Sequence, residues 1–216
     1  MLTMHTHMTP LVLAYGVTPG FTVMARSMYI HRAAENNQTI NNGINDLFLL
    51  SKFRLYRKNT ANYVFDIVPH IATNIPVGSS EISNRTWNPE LGINISFRPR
   101  FFAADMSTSY IFSDVSGKLD AKPGNIFNLN TAFSALIPLK SQSEKAISPV
   151  VEMTYSHQGK SEANPMNDML FISPGISYIH SNLALEVLFQ IPVYQSNGAS
   201  MMNQNSRWIL GVKYMF

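Results

Sequence analysis

Apolar and polar residues alternate with a period of two along most of this chain. The last segment shows it most plainly. Trp208, Leu210, Val212, Tyr214 and Phe216 fall on one side of an extended backbone, and Arg207, Gly211 and Lys213 on the other. The preceding segment repeats the pattern, with Leu185, Val187, Phe189, Ile191 and Val193 against Glu186, Gln190 and Tyr194. Further upstream, Ile147, Val151, Met153 and Tyr155 oppose Ser148, Glu152, Thr154 and Ser156. Leu91, Ile93, Ile95 and Phe97 oppose Glu90, Asn94, Ser96 and Arg98. Phe65, Ile67 and Ile71 oppose Asp66, His70 and Asn74, and Leu47, Leu49, Phe53 and Leu55 oppose Lys52 and Arg54.

Eleven such segments lie near residues 10–17, 21–32, 46–57, 63–76, 89–98, 100–113, 125–139, 146–157, 169–180, 183–195 and 207–216. Helical spacing fits none of them as well. Their lengths match the roughly 9–11 residues a tilted strand needs to cross a bilayer and exceed the roughly 5–6 common in soluble sheets.

The connections alternate too. Thr18–Gly20, Lys58–Asn62, the corner at Pro99, Lys140–Lys145 and Ser181–Asn182 are short. Ala33–Asn45, Gly78–Asn88, Asp114–Gly124, Gln158–Asp168 and Ser196–Ser206 are long and polar. Membrane barrels have tight periplasmic turns and longer outer loops. The pattern therefore predicts an all-β fold, an antiparallel transmembrane β-barrel forming one domain over residues 1–216. The last long loop puts the C-terminus on the periplasmic side, so the segment 10–17 runs from outside inward. Bacterial barrels normally have an even strand count and a periplasmic N-terminus. The expectation is a barrel of about 12 strands, with the first strand and an export signal upstream of Met1. Pro69, Pro138, Pro149, Pro174 and Pro192 fall inside strand segments, although proline cannot donate to a ladder. Pro174-Gly175 reads as a bulge.

Composition narrows the classes. Charged residues are 13% of the chain, against about 25% in soluble proteins. Asn, Ser and Thr take their place, which suits one apolar face and one polar, uncharged face. A formal charge of +3 without a Lys/Arg cluster does not point to nucleic acid. With no cysteine there is no disulfide, thiolate site or cysteine nucleophile. No apolar run approaches the ~20 residues of a membrane helix, so a membrane crossing must be made by strands.

The C-terminus resembles the assembly signal of outer-membrane barrels in Gly211, Tyr214 and Phe216, with Ile209 where a polar residue is usual. The chain as a whole resembles the outer-membrane transporter family named for the meta-pathway of phenol degradation. The residues that carry this are Leu13–Thr18 running into Phe21–Ala25, Tyr29–Arg32, Gly43–Leu47, Ile75–Gly78, Ser173–Tyr178 and Gln190–Gln195; Val77 stands where the family has Thr. The resemblance implies an outer-membrane location, contact with outer-membrane lipid and the barrel assembly machinery, and passage of a small solute, often aromatic. It implies no cofactor.

Alternation turns Arg26, Lys52, Arg54, Asp66, His70, Glu90, Arg98, Asp105, Glu152, Glu186, Gln190 and Lys213 inward. Two readings of this mixed-sign set stay open. Opposed charges can orient a permeating solute, or the groups can pair and fill a narrow interior. Outward aromatics, Tyr15, Tyr29, Tyr110, Tyr155, Tyr178, Trp208 and Tyr214, fall toward strand ends, as interface girdles do. His5 and His7 could share a face, but no further ligand is evident, so no metal site is assigned. A lipid hydrolase would need a Ser–His contact. Ser156–His157 and His180–Ser181 are sequence neighbours that point to opposite faces, so no catalytic residue is assigned. A structural or adhesive barrel with a plugged lumen is the remaining alternative.

Overall fold

A computed structural model describes residues 4–34, 39–83, 85–115, 122–139, 145–161, 166–196 and 204–215. Every regular element among them is a strand: β1 (Met4–Thr18), β2 (Phe21–Ala34), β3 (Thr39–Ile44), β4 (Leu47–Phe53), β5 (Tyr56–Asn59), β6 (Tyr63–Ile75), β7 (Glu90–Pro99), β8 (Phe102–Ile111), β9 (Ile126–Ala135), β10 (Ile137–Pro138), β11 (Lys145–Gln158), β12 (Asn167–His180), β13 (Leu183–Ser196) and β14 (Arg207–Tyr214). They form one antiparallel meander in the order β1-β2-β4-β6-β7-β8-β9-β11-β12-β13-β14. β3, β5 and β10 are short pieces that pair with β2, β6 and β11. Among the described residues no pairing joins β1 to β14, and these two end strands run in the same direction.

Burial in this sheet is inverted. The buried apolar side chains are few: Ile30, Ala33, Leu50, Ala72, Val150, Phe171 and Leu188. The buried polar ones include His70, Ser109, Ser148, Asn167, Ser173, Ser177 and Gln190. Leu91, Phe133, Val151, Ile176, Leu210 and Val212 are exposed. The ladder explains the division. Glu152 sits opposite Ala132 and Ser173, and Val151 opposite Phe133 and Pro174. One face of the sheet thus carries the polar row and the other the apolar row. The polar face holds the most buried side chains and is the concave, inner one. The convex face is a continuous apolar surface, far larger than soluble proteins leave bare, and a bilayer is the solvent that stabilises it.

Aromatic rings gather at both ends of this surface. Toward the tight turns, Phe21 stacks on Phe53 at 4.8 Å, Tyr63 meets Phe97 with tilted rings at 5.5 Å, and Phe97 meets Phe102 at 6.0 Å. Toward the long connections, Tyr110 meets Phe112 at 5.0 Å, while nearer mid-strand Phe189 meets Trp208 at 4.6 Å. Two girdles of this kind mark the interfaces of a membrane barrel.

The structure departs from the sequence reading in several places. The first strand begins at Met4, so His5 and His7 are strand residues. Part of the long polar connection Ala33–Asn45 is strand β3. The segment 46–57 breaks at Arg54–Leu55 into β4 and β5. Pro174-Gly175 is not a bulge: Ile172 pairs with Ile191 and Gly175 with Leu188, three residues apart on both strands. The bulge lies instead beside Pro192, where Phe171 pairs with Pro192 but Leu170 with Tyr194. The extra residue reverses the alternation, so Tyr194 is an outward, exposed residue and not an inward one. Phe216, the last residue of the assembly signal, and most of the turn Lys140–Lys145 lie outside the described residues.

Candidate functional site

The register puts eleven of the candidates, all but Arg54, on the face that carries the polar row, and shows which of them meet; Arg54 lies in the break between β4 and β5. Arg57, Asp66, Ser96, Asp105, Ala132, Glu152 and Ser173 occupy one continuous cross-strand row from β5 to β12. The row begins near the tight-turn end of β6 and reaches mid-height on β11, because tilted, staggered strands make hydrogen-bonded rows climb the wall of a barrel. Charge therefore winds up the lumen as a band. Gln190 and Arg207 are ladder partners on β13 and β14, and Arg207 Nε donates to Gln190 Oε1 at 2.6 Å.

Within the band Arg54 and Arg57 neutralise Asp66, and Arg98 neutralises Asp105. Arg54 and Arg57 lie 3.8 and 3.6 Å from Asp66, and Arg98 lies 3.1 Å from Asp105. The break at Arg54–Leu55 lets two arginines reach one carboxylate. Strict alternation through 46–57 hides this, which is why Arg57 was absent from the inward set. Lys52 lies opposite His70. Arg26 packs its guanidinium 4.5 Å above the ring of Phe48, its own ladder partner. On the far side, Arg207 stands 6.0 Å above the ring of Phe171. Lys213 pairs in register with Ala184 at the tight-turn end, and Glu186 with Gly211.

His70 is the hub of a second, tighter group. Its Nε2 lies 3.3 Å from Glu90 Oε1. Its Nδ1 lies 3.0 Å from Asn94 Nδ2, which also donates to the carbonyl of Val68 at 3.0 Å. The ring packs over Gly92, where a Cβ would collide with it. With His70 Nδ1 accepting from Asn94, Nε2 carries the proton and donates to Glu90. Replacing His70 with leucine is expected to cost about 1–3 kcal/mol, because Glu90 and Asn94 each lose one hydrogen bond inside the wall. Urea unfolding in lipid measures this, and an unchanged midpoint would rule the network out as a stabilising element.

Lys52, Asn94, Ser96, Arg98, Asp105, Asn130 and Glu152 are among the residues that line one inner cavity of about 410 Å³. It spans from β4 to β11, so the two sides of the wall share one space.

Outside the lumen, His157 Nδ1 lies 2.7 Å from Asp168 Oδ1, and Tyr155 donates its hydroxyl to the same oxygen at 2.8 Å. Alternation does not reveal Asp168, because it stands at the end of β12 next to the long polar connection. The ladder order is His157, Asp168, Ser196. The carboxylate stands between hydroxyl and imidazole, with the outer two about 10 Å apart across two strand spacings. That order does not make a nucleophile–base pair. His7 lies directly opposite His31, on the face it shares with His5. Among the described residues, no three His, Asp or Glu side chains converge as a metal site requires.

An inward polar wall, an outward apolar band and two aromatic girdles on an antiparallel meander define the fold of an outer-membrane β-barrel. Among solved structures the chain is similar to an outer-membrane channel from Pseudomonas putida F1, at 13% identity and a TM-score of 0.70, over 99% of this chain and 83% of that one. No protein-family model matches the chain, and no curated protein matches it.

Proposed function

We propose that the chain acts in the outer membrane as a conduit that passes small solutes, aromatic ones among them, by passive diffusion along its lumen. The observation that carries this is the cavity shared by β4 and β11, bounded by paired charges and neutral Asn and Ser residues on the inside of a lipid-facing barrel. Two inward phenyl rings, Phe48 and Phe171, each under a guanidinium, offer flat apolar contacts in an otherwise polar wall. The outer-membrane channel of similar fold supports the same reading. So does the resemblance of its short motifs to those of the phenol meta-pathway transporters. The barrel assembly machinery is the partner that Gly211, Tyr214 and Phe216 would engage, and outer-membrane lipid is the partner of the convex face.

Liposome swelling tests the proposal. Vesicles carrying the folded protein are expected to swell in isosmotic small solutes, benzoate included, and to swell progressively less as solute size rises. Vesicles that stay tight to every solute would leave the structural or adhesive barrel with a plugged lumen.

A further inference from the structure

Glu152 differs from the other inward acids. Asp66, Glu90 and Asp105 each have a cation or an imidazole within 4 Å. Glu152 forms no hydrogen bond or ion pair among the described residues, and its ladder partners, Ala132 and Ser173, bring no charge. Ser173 is only 1% exposed, and its Oγ has no hydrogen-bond partner among the described residues. Nearer the tight-turn end, Glu186 adds a second carboxylate, with one oxygen held by Ser177 at 2.8 Å. Across β9, β11, β12 and β13 the sequence holds one Lys or Arg, and that residue, Lys145, pairs with His180 on the outward face. An ionised carboxylate away from bulk water needs a counter-charge or donors. Among the described residues no counter-charge or donor is spent on Glu152, and it faces the cavity whose other side carries Lys52 and the Arg98–Asp105 pair.

We propose that Glu152 forms a binding station for the positively charged end of a permeating solute, an ammonium or guanidinium group. The cation donates to the Glu152 carboxylate, which lines the cavity. Lys52, which forms no ion pair among the described residues, repels the same group from the opposite side, while Asp105 cancels Arg98, and so Lys52 fixes which way round the solute lies. The station rests on reading the barrel as a conduit and names the class of solute it slows and orients.

The chain has no cysteine, so Ala132→Cys places a single thiol in the cavity wall beside Glu152. The folded variant is treated with an ammonium-bearing or a sulfonate-bearing methanethiosulfonate reagent, each rate normalised to that of a free thiol. The cationic reagent is expected to react roughly tenfold faster, as a locally negative wall concentrates cations. Adding Glu152→Gln should bring the two rates to within about twofold. Ethylammonium chloride should slow cationic labelling more than sodium chloride of equal ionic strength, a readout that needs no second substitution. Equal rates for the two reagents, or equal effects of the two salts, would overturn the station and leave the conduit standing. A thiol that neither reagent reaches would mean a sealed lumen, overturning the conduit and the station together.

Discussion

Arginine at position 189 is expected to destabilise the assembled barrel by ~2–4 kcal/mol. Phe189 sits midway along β13, on the outward face, and its ring packs 4.6 Å from that of Trp208. Val187 and Ile191 flank it on the same face, both exposed. In lipid this position lies near the bilayer midplane, where a guanidinium either loses its hydration or drags water and headgroups inward. The loss of the ring pair adds to that cost. Urea titration in lipid vesicles, followed by the heat-dependent shift of the folded band on gels, measures it. Phe189→Leu should recover most of the stability, since it restores an apolar side chain. If Phe189→Arg assembles and unfolds like the parent, the convex face does not meet lipid, and the membrane reading fails with it.

The second large effect is expected at Gly92. A Cβ there would stand 2.5 Å from the backbone carbonyl oxygen of Thr108 and would collide with the ring of His70. Neither neighbour is free to move. Thr108 is held in the β7–β8 ladder opposite Ile93, and His70 is held by Glu90 and Asn94. Gly92→Val therefore has to displace a strand or break the histidine network, and overpacking of this kind costs about 1–3 kcal/mol or more. His70→Ala on top of Gly92→Val should restore only part of the loss, because the ring clash goes but the Thr108 carbonyl stays. Full recovery in the double variant would show that the side-chain collision alone matters. No loss in Gly92→Val would show that β7 and β8 are farther apart than the ladder places them.

Both predictions bear on how a channel-like wall is built. The lipid face needs only apolar character and tolerates exchange among apolar residues. The inner face depends on specific partners, since each buried polar atom there must meet another. That is why His70, at 5% exposure, is surrounded by groups that satisfy it. It is also why Glu152, which faces the cavity with no hydrogen bond among the described residues, marks a place where the protein leaves hydrogen-bonding capacity to something else.

Much of this architecture is legible in the sequence, for a simple reason. Side chains alternate sides in any extended strand, so an apolar residue at every second position fixes which residues face lipid and which face the lumen without knowledge of any neighbour. Arg26, Glu152 and Lys213 are turned inward by their own segments alone, and turn residues such as Ser181–Asn182 separate one strand from the next. What alternation does not fix is register. Sliding one strand past another by two residues keeps every face correct and changes every partner. Tertiary structure alone decided that Asp66 meets both Arg54 and Arg57, that His7 faces His31, and that His157 meets Asp168 across two strand ends. Irregularities escape the pattern for a related reason. The break after Phe53 and the extra residue beside Pro192 each reverse the alternation locally, and only the pairing partner reveals which way Tyr194 then points. The sequence thus determined the two faces, the strands and their order along the chain. The closing of neighbouring strands into one staggered wall decided which charges cancel and which, like Glu152, are left facing the lumen.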